Sequence, residues 1–207
     1  MTSWLHEQRL AAVCAAVRQC RARSVLDLGC GDGELLTRLA AEPRIERILG
    51  VDLCRASLER ARDRLARVET GGAQVALIHG CLTKAGSRLA GFDCAVLVET
   101  IEHVAPERLS SLERAIFSRM RPGRVVVTTP NAEFNPLLGV PPHRFRHPDH
   151  RFEWDRERFR RWAAGTAARH GYGVACHDVA GCHPRLGGAS QMAVFDLTPA
   201  GTGRVAA

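Results

Sequence analysis

A chain of 207 residues that is 45% hydrophobic can bury one continuous core and is too short for several large domains. No apolar run approaches the roughly 20 residues that cross a bilayer, and the amino terminus lacks the order of a secretion signal, so no membrane partner and a cytoplasmic address are expected. The formal charge of +7 suits phosphate or nucleic-acid partners, though it can also reflect a solvated arginine surface, and the eight cysteines contain no C-x-x-C pair and read as reduced, mostly buried thiols.

Apolar spacing predicts a helix over His6 to Val17, and SVLDL (Ser24 to Leu28) then reads as a short buried strand running into LGCGDGE. ERILGVDL (Glu46 to Leu53), an arginine-rich helix from about Ala56 to Val68, QVALIHG (Gln74 to Gly80), FDCAVLV (Phe92 to Val98), a helix from Pro106 to Met120 and GRVVVTTP (Gly123 to Pro130) follow. Strands alternating with helices predict a parallel sheet covered on both faces. After Pro130 comes a stretch rich in proline, histidine and arginine, too long for an ordinary connection and therefore expected to be either functional or disordered. Asp155 is placed to cap a helix through Ala168, and GVACHDV and QMAVFDL fit a closing antiparallel pair. Residues 1–198 are expected to form one catalytic domain with residues 131–154 as an inserted loop, and 199–207 a frayed tail.

The loop Asp27-Leu28-Gly29-Cys30-Gly31-Asp32-Gly33 leaves a strand and opens a helix, where glycines let backbone approach a ligand. Asp52 ends the next strand, where a carboxylate can accept both ribose hydroxyls of an adenosine. This combination resembles the S-adenosylmethionine-dependent methyltransferases, which implies an α/β, Rossmann-like fold: seven strands, mostly parallel, with an antiparallel closing strand. By that resemblance Asp27, Gly29, Cys30, Gly31, Asp52 and Leu53 surround the cofactor, and Cys81 and Leu82 flank its adenine.

ETIEH (Glu99 to His103) follows the fourth strand, where the methyl acceptor sits in such a sheet. If a helical turn follows, Glu99, Glu102 and His103 fall on one face at ligand spacing for a divalent ion; the plainer reading is first-turn glutamates. HRFRHPDHRFEW offers His143, His147, Asp149 and His150 as a fourth ligand. Carboxylates with imidazoles suit magnesium, manganese, iron or cobalt better than a structural zinc. The rival signal, CHDVAGCH (Cys176 to His183), places Cys176 and His177 on opposite faces of a strand and so spoils a shared tetrahedral site.

ETIEH, TTPNAEFN (Thr128 to Asn135) and FRHPDHRFEW (Phe145 to Trp154), in this order and spacing, resemble the HUA ENHANCER family of small-RNA 2'-O-methyltransferases, including its bacterial RNA-repair members. LHEQRL and GGASQMAVF also look like family segments. The resemblance implies Glu99, Glu102, His103 and His150 as metal ligands, with Mg2+ or Mn2+ (Co2+ or Fe2+ also suiting) on the 2' and 3' hydroxyls of the last nucleotide. It implies a partner RNA with a free 3' end, and an end-healing kinase, phosphatase or ligase as a further partner, since bacterial relatives carry a partner-binding region before this domain while the present sequence opens on the methyltransferase helix. His147 is the candidate proton acceptor. Arg144, Arg146 and Arg151 interleave with Phe145, Phe152 and Trp154, a mix that can contact phosphates and stack on bases, or whose aromatics, Phe152 and Trp154 foremost, anchor the loop. A monomeric domain is expected. Two other readings stand beside this one: a metal-assisted small-molecule O-methyltransferase acting on a catechol or vicinal diol, and a non-catalytic RNA-binding subunit. Whether the RNA is a tRNA fragment or a small regulatory RNA is open.

Overall fold

In a computed structural model describing residues 3–84 and 86–199, five strands run parallel: β1 (Ser24–Leu28), β2 (Arg47–Asp52), β3 (Gln74–His79), β4 (Cys94–Val98) and β5 (Arg124–Pro130). β6 (Tyr172–Val179) and β7 (Ser190–Leu197) add antiparallel, and the sheet order is β3-β2-β1-β4-β5-β7-β6. The expected tail lies outside the described residues apart from Pro199.

Side-chain alternation along the inner strands divides the core into two. Val25, Val96, Val126 and Val194 face α1 (Trp4–Gln19), α2 (Glu34–Ala40) and α3 (Arg55–Leu65), whereas Leu26, Leu97, Val127 and Phe195 face α4 (Leu109–Glu113) and α5 (Arg156–His170). Because both faces are covered, these strands read as unbroken apolar runs. The α5 start matches the predicted cap: Asp155 Oδ1 accepts from the Arg158 N–H at 2.7 Å.

The predicted helix from Pro106 to Met120 is broken into a 3₁₀ turn (Pro106–Arg108), α4 and a π-turn (Arg114–Met120). Arg121, in the left-handed region at φ 49°, ends the π-turn by donating its N–H to the Ile116 carbonyl at 2.8 Å. The α3 helix stops at Leu65, short of the predicted Val68.

Strand order reverses between β1 and β4, so the loops leaving their carboxyl ends diverge and open a crevice. The glycine loop follows β1 and ETIEH follows β4. The loop over residues 131–154 is closed at its base by a bridge between Asn131 and Trp154 and by the Ala132 N–H donating to the Trp154 carbonyl at 3.1 Å.

Candidate active site

Gly29 stands at φ +86°, and a Cβ there would lie 2.6 Å from the Thr100 side chain, so only glycine lets the β1 loop pass the β4 loop. Its N–H and that of Cys30 donate to the Val51 carbonyl at 2.8 and 3.1 Å, which ties the loop to β2. Asp52 then fastens it from the other side: Oδ2 accepts from the Gly31 N–H at 2.8 Å and Oδ1 from the Cys54 N–H at 2.7 Å. Gly29, Gly31, Asp52, Leu53, Cys81 and Leu82 all line one cavity of ≈ 840 Å³. Leu53 is 68% exposed beside it, an apolar residue left uncovered at a ligand-sized opening.

Two candidates from the glycine loop sit elsewhere. Cys30 turns its thiol into the core beside Gly50, so its side chain does not face the cavity as grouped from sequence; the alternation of the loop sends it inward. Asp27 is 2% exposed, behind the loop, with Oδ2 lacking any hydrogen-bond partner. Burial, and next the nearby Asp52 charge, push its carboxyl up to about 7.

The same cavity reaches Glu99, His103 and Arg151 at the end of β4. Here the backbone departs from the expected helical turn: Glu99 takes φ +49° and only Ile101–His103 form a 3₁₀ turn. The three ETIEH side chains therefore do not share a helical face. Glu99 is held by Thr128 Oγ1 donating to Oε1 (3.0 Å), Ser190 Oγ donating to Oε2 (3.2 Å) and Arg9 Nη2 at 3.3 Å. Glu102 points inward, 0% exposed; Thr129 Oγ1 donates to its Oε2 at 2.9 Å, and its Oε1 has no partner. Burial, and next the Glu99 charge, hold the Glu102 carboxyl well above the ordinary carboxylate range.

His103 turns the other way and meets the loop. Ring nitrogens of His103, His147 and His150 lie within 4.8 Å of one another, the one such group of metal-ligating side chains among the described residues; His147 belongs to it, whereas Glu99 and Glu102, expected from sequence beside His103 and His150, do not. Among the described residues, CHDVAGCH forms no such group. Burial, then the neighbouring His150 and His147, lowers the His103 pKa, which favours the neutral ring a cation needs. His143 and Asp149 are exposed and outside the group. His147 Nδ1 accepts from the Asp149 N–H at 3.2 Å.

The loop's arginines part company. Arg144 and Arg151 are exposed, and the Arg151 N–H donates to the Glu102 carbonyl at 2.7 Å, fastening the loop to ETIEH. Arg146, grouped with them from sequence as an RNA contact, is instead an internal tie. Its guanidinium donates to Asn135 Oδ1 (2.6 Å) and to the carbonyls of Ala189 and Asn131. Three acceptors at the sheet edge outcompete solvent for it. Phe152 and Trp154 are buried and stacked with centroids 4.2 Å apart, anchoring the loop, while Phe145 is 47% exposed.

Arg9, Thr129, Ser190, Asn135 and Glu153 belong to this neighbourhood and went unassigned in sequence. Each lies in a segment noticed there (LHEQRL, TTPNAEFN, GGASQ and the loop), but nothing local to any of them shows that tertiary folding brings them together.

A family model described as a methyltransferase domain matches residues 25–123. A small RNA 2'-O-methyltransferase of Gallus gallus is 38% identical over 82% of this chain and 47% of its own length, so the chain spans about half the length of such curated relatives. The crystal structure of the methyltransferase domain of bacterial CtHen1 is 37% identical, with a TM-score of 0.82 over 93% of this chain and 100% of that one. The small RNA methyltransferase HEN1 structure is 33% identical, with a TM-score of 0.85 over 92% of this chain and 25% of that one. With the crevice, the glycine loop and ETIEH lying where the motifs implied, this chain belongs to the Hen1 family of small-RNA 2'-O-methyltransferases.

Proposed function

We propose that the protein, through a methyltransferase domain spanning residues 1–198, transfers a methyl group from S-adenosylmethionine to the 2'-hydroxyl of the 3'-terminal nucleotide of an RNA, with the aid of a divalent cation. Two observations support the metal reading: the ring nitrogens of His103, His147 and His150 gather within 4.8 Å of one another, and the neighbouring residue in sequence, Glu102, keeps a buried carboxylate oxygen, Oε1, that lacks any partner. An isolated buried carboxylate is costly, and two carboxylates with imidazoles are a donor set that a divalent cation satisfies. Glu99, Glu102, His103 and His150 would hold the ion. When bound, it would act as a Lewis acid on the adjacent 2' and 3' hydroxyls and lower the pKa of the attacking oxygen.

The chain's own residues do the rest. Gly29, Gly31 and Asp52, with Leu53, Cys81 and Leu82 around the adenine, hold the donor on one side of the crevice, and Glu99 and His103 bound the acceptor on the other. Alignment of two reactants in this way can supply roughly 7 to 11 kcal/mol of a barrier. As the hydroxyl oxygen bonds to the methyl carbon, the carbon–sulfur bond breaks and its electron pair stays on sulfur, which becomes a neutral thioether. The hydroxyl proton passes to His147, which gives up its Nδ1 bond from Asp149 to receive it. Exposed Arg144 and Arg151 would meet backbone phosphates, and Phe145 would stack on a base.

Radiolabelled S-adenosylmethionine with Mn2+ and a short RNA tests this directly. Label is expected on RNA ending in a 2',3' diol and absent when the end is 2'-deoxy, 3'-phosphorylated or periodate-treated. Label on a circular RNA would contradict terminal recognition, and full turnover in excess chelator would contradict the metal.

A further inference from the structure

His150 is gripped from behind. Its Nδ1 lies 2.6 Å from Glu153 Oε1, and because a carboxylate only accepts, the proton sits on Nδ1 and the lone pair on Nε2. Glu153 is fixed at both oxygens: Asn135 Nδ2 donates to Oε2 at 2.6 Å, and the Arg146 N–H donates to Oε1 at 2.7 Å. Arg146 closes the ring by donating Nε to Asn135 Oδ1 at 2.6 Å, and it reaches on to the Ala189 carbonyl, also at 2.6 Å. The Asn135 amide has one workable orientation here, since a flip would set donor against donor at Arg146 and acceptor against acceptor at Glu153. A line of fixed groups thus runs from the sheet edge through Arg146, Asn135 and Glu153 to His150. The Glu153 side chain is 1% exposed, and none of these three residues lines the cavity.

We infer that Glu153 is a positioning residue that acts through His150: it selects the tautomer whose Nε2 lone pair is available to a cation, while Asn135 and Arg146 hold it to that task. This rests on the metal reading above. A neutral imidazole binds a cation only through its unprotonated nitrogen, and an outer carboxylate both fixes which nitrogen that is and raises its basicity. A group that merely filled the space would do neither.

Two readouts on the intact protein test it without turnover: long-range 1H–15N NMR of the metal-free protein for the His150 tautomer, and calorimetric titration with MnCl2. The wild type should show His150 protonated at Nδ1. Glu153→Ala should lose that preference and bind Mn2+ about ten- to a hundred-fold more weakly, with S-adenosylmethionine affinity unchanged as evidence of an intact fold. Glu153→Gln keeps the volume, but its amide can accept from His150 only by turning its NH2 toward that of Asn135, so it should weaken Mn2+ binding by a smaller factor. Should both variants bind Mn2+ as the wild type does, or His150 keep its tautomer in both, the inference is overturned. A wild type that shows the tautomer and binds no Mn2+ would instead bring down the metal reading, and the inference with it.

Discussion

Gly29, Gly31 and Asp52, on the cofactor side of the crevice, come from one β1-α2-β2 unit, whereas the acceptor side draws Arg9, Glu99, Glu102, Thr129, His150 and Ser190 from across the chain. The first is made largely of backbone amides and a carboxylate that ties them together. The second is made of side chains whose charges oppose each other inside the protein. Each half also keeps a buried carboxylate oxygen without a partner: Asp27 Oδ2 on one, Glu102 Oε1 on the other. A sulfonium cofactor and a divalent ion are both cations, so each half has an unmet acceptor on the side where its proposed ligand binds. The difference is that the cofactor half can be specified by local sequence, and the acceptor half only by the complete fold.

The sharpest way to break this division is Glu102→Ala. If the halves are independent, methyl transfer should fall about a thousand-fold or more, the loss of several kcal/mol of Lewis-acid stabilisation, while S-adenosylmethionine binds as before. Calorimetry and a turnover assay on the same preparation decide it; a parallel loss of cofactor affinity would mean that the halves are one unit. Next comes Arg146→Ala, which leaves Asn135 Oδ1 without its donor and takes the second donor from the Ala189 and Asn131 carbonyls, which keep the N–H groups of Asn131 and Phe134. A cost of about 1–3 kcal/mol is expected, chiefly from the orphaned Asn135 oxygen, read as a lower urea midpoint. Arg144→Ala should leave the midpoint unmoved, since its side chain is exposed.

Arg146 also shows where the sequence stopped being readable. Arg144, Arg146 and Arg151 look alike in HRFRHPDHR, and period and composition cannot tell which one finds the Asn135 side chain and the two carbonyls beside the ends of β5 and β7. The glycine loop was legible because its reason is local: a strand-to-helix turn at positive φ with Thr100 packed against it. ETIEH was legible in composition and position, but not in conformation, because the left-handed Glu99 follows from bonds to Thr128 on the neighbouring strand. The inward Cys30, the π-turn and the Glu153 grip likewise depend on contacts remote in sequence or on the packing of one turn.

On the cofactor half the expected effects are smaller and can be separated. Asp52→Ala removes a charged acceptor that ties the loop, so S-adenosylmethionine affinity should fall about ten- to a hundred-fold, equivalent to roughly 1.5–3 kcal/mol. Asp27 gives a pH signature. Its folded pKa, about 7, is raised above the ordinary 3.8, so the folded state keeps this proton to higher pH than the unfolded state does. The stability it supplies is complete below about 3.8 and is lost as pH rises through about 7, with a slope of up to about 1.4 kcal/mol per pH unit. Asp27→Asn should flatten that part of the stability curve for the cofactor-free protein; an unchanged slope would show that Asp27 is ionised throughout.

The smallest effects should come from the two exposed loop arginines, and these bear most directly on RNA. Arg144 and Arg151 are free of the internal ties that hold Arg146, and Arg151 lines the cavity through which an RNA end would enter. A cation that neutralises one phosphate of a single strand releases about 0.7 of a counterion, so each substitution to alanine should lower the slope of log affinity against log salt by roughly that amount. Affinity should fall about equally for RNAs of different sequence, because a phosphate contact carries no base information. Turnover at saturating RNA should change little, since neither guanidinium is proposed to touch the reacting atoms. Binding of a fluorescent RNA with a 2'-deoxy 3' end, measured from low to moderate salt, provides the slopes without methyl transfer. If Arg144→Ala and Arg151→Ala kept the wild-type slope while Arg146→Lys lowered it, the assignment of surface and interior arginines in this loop would be reversed.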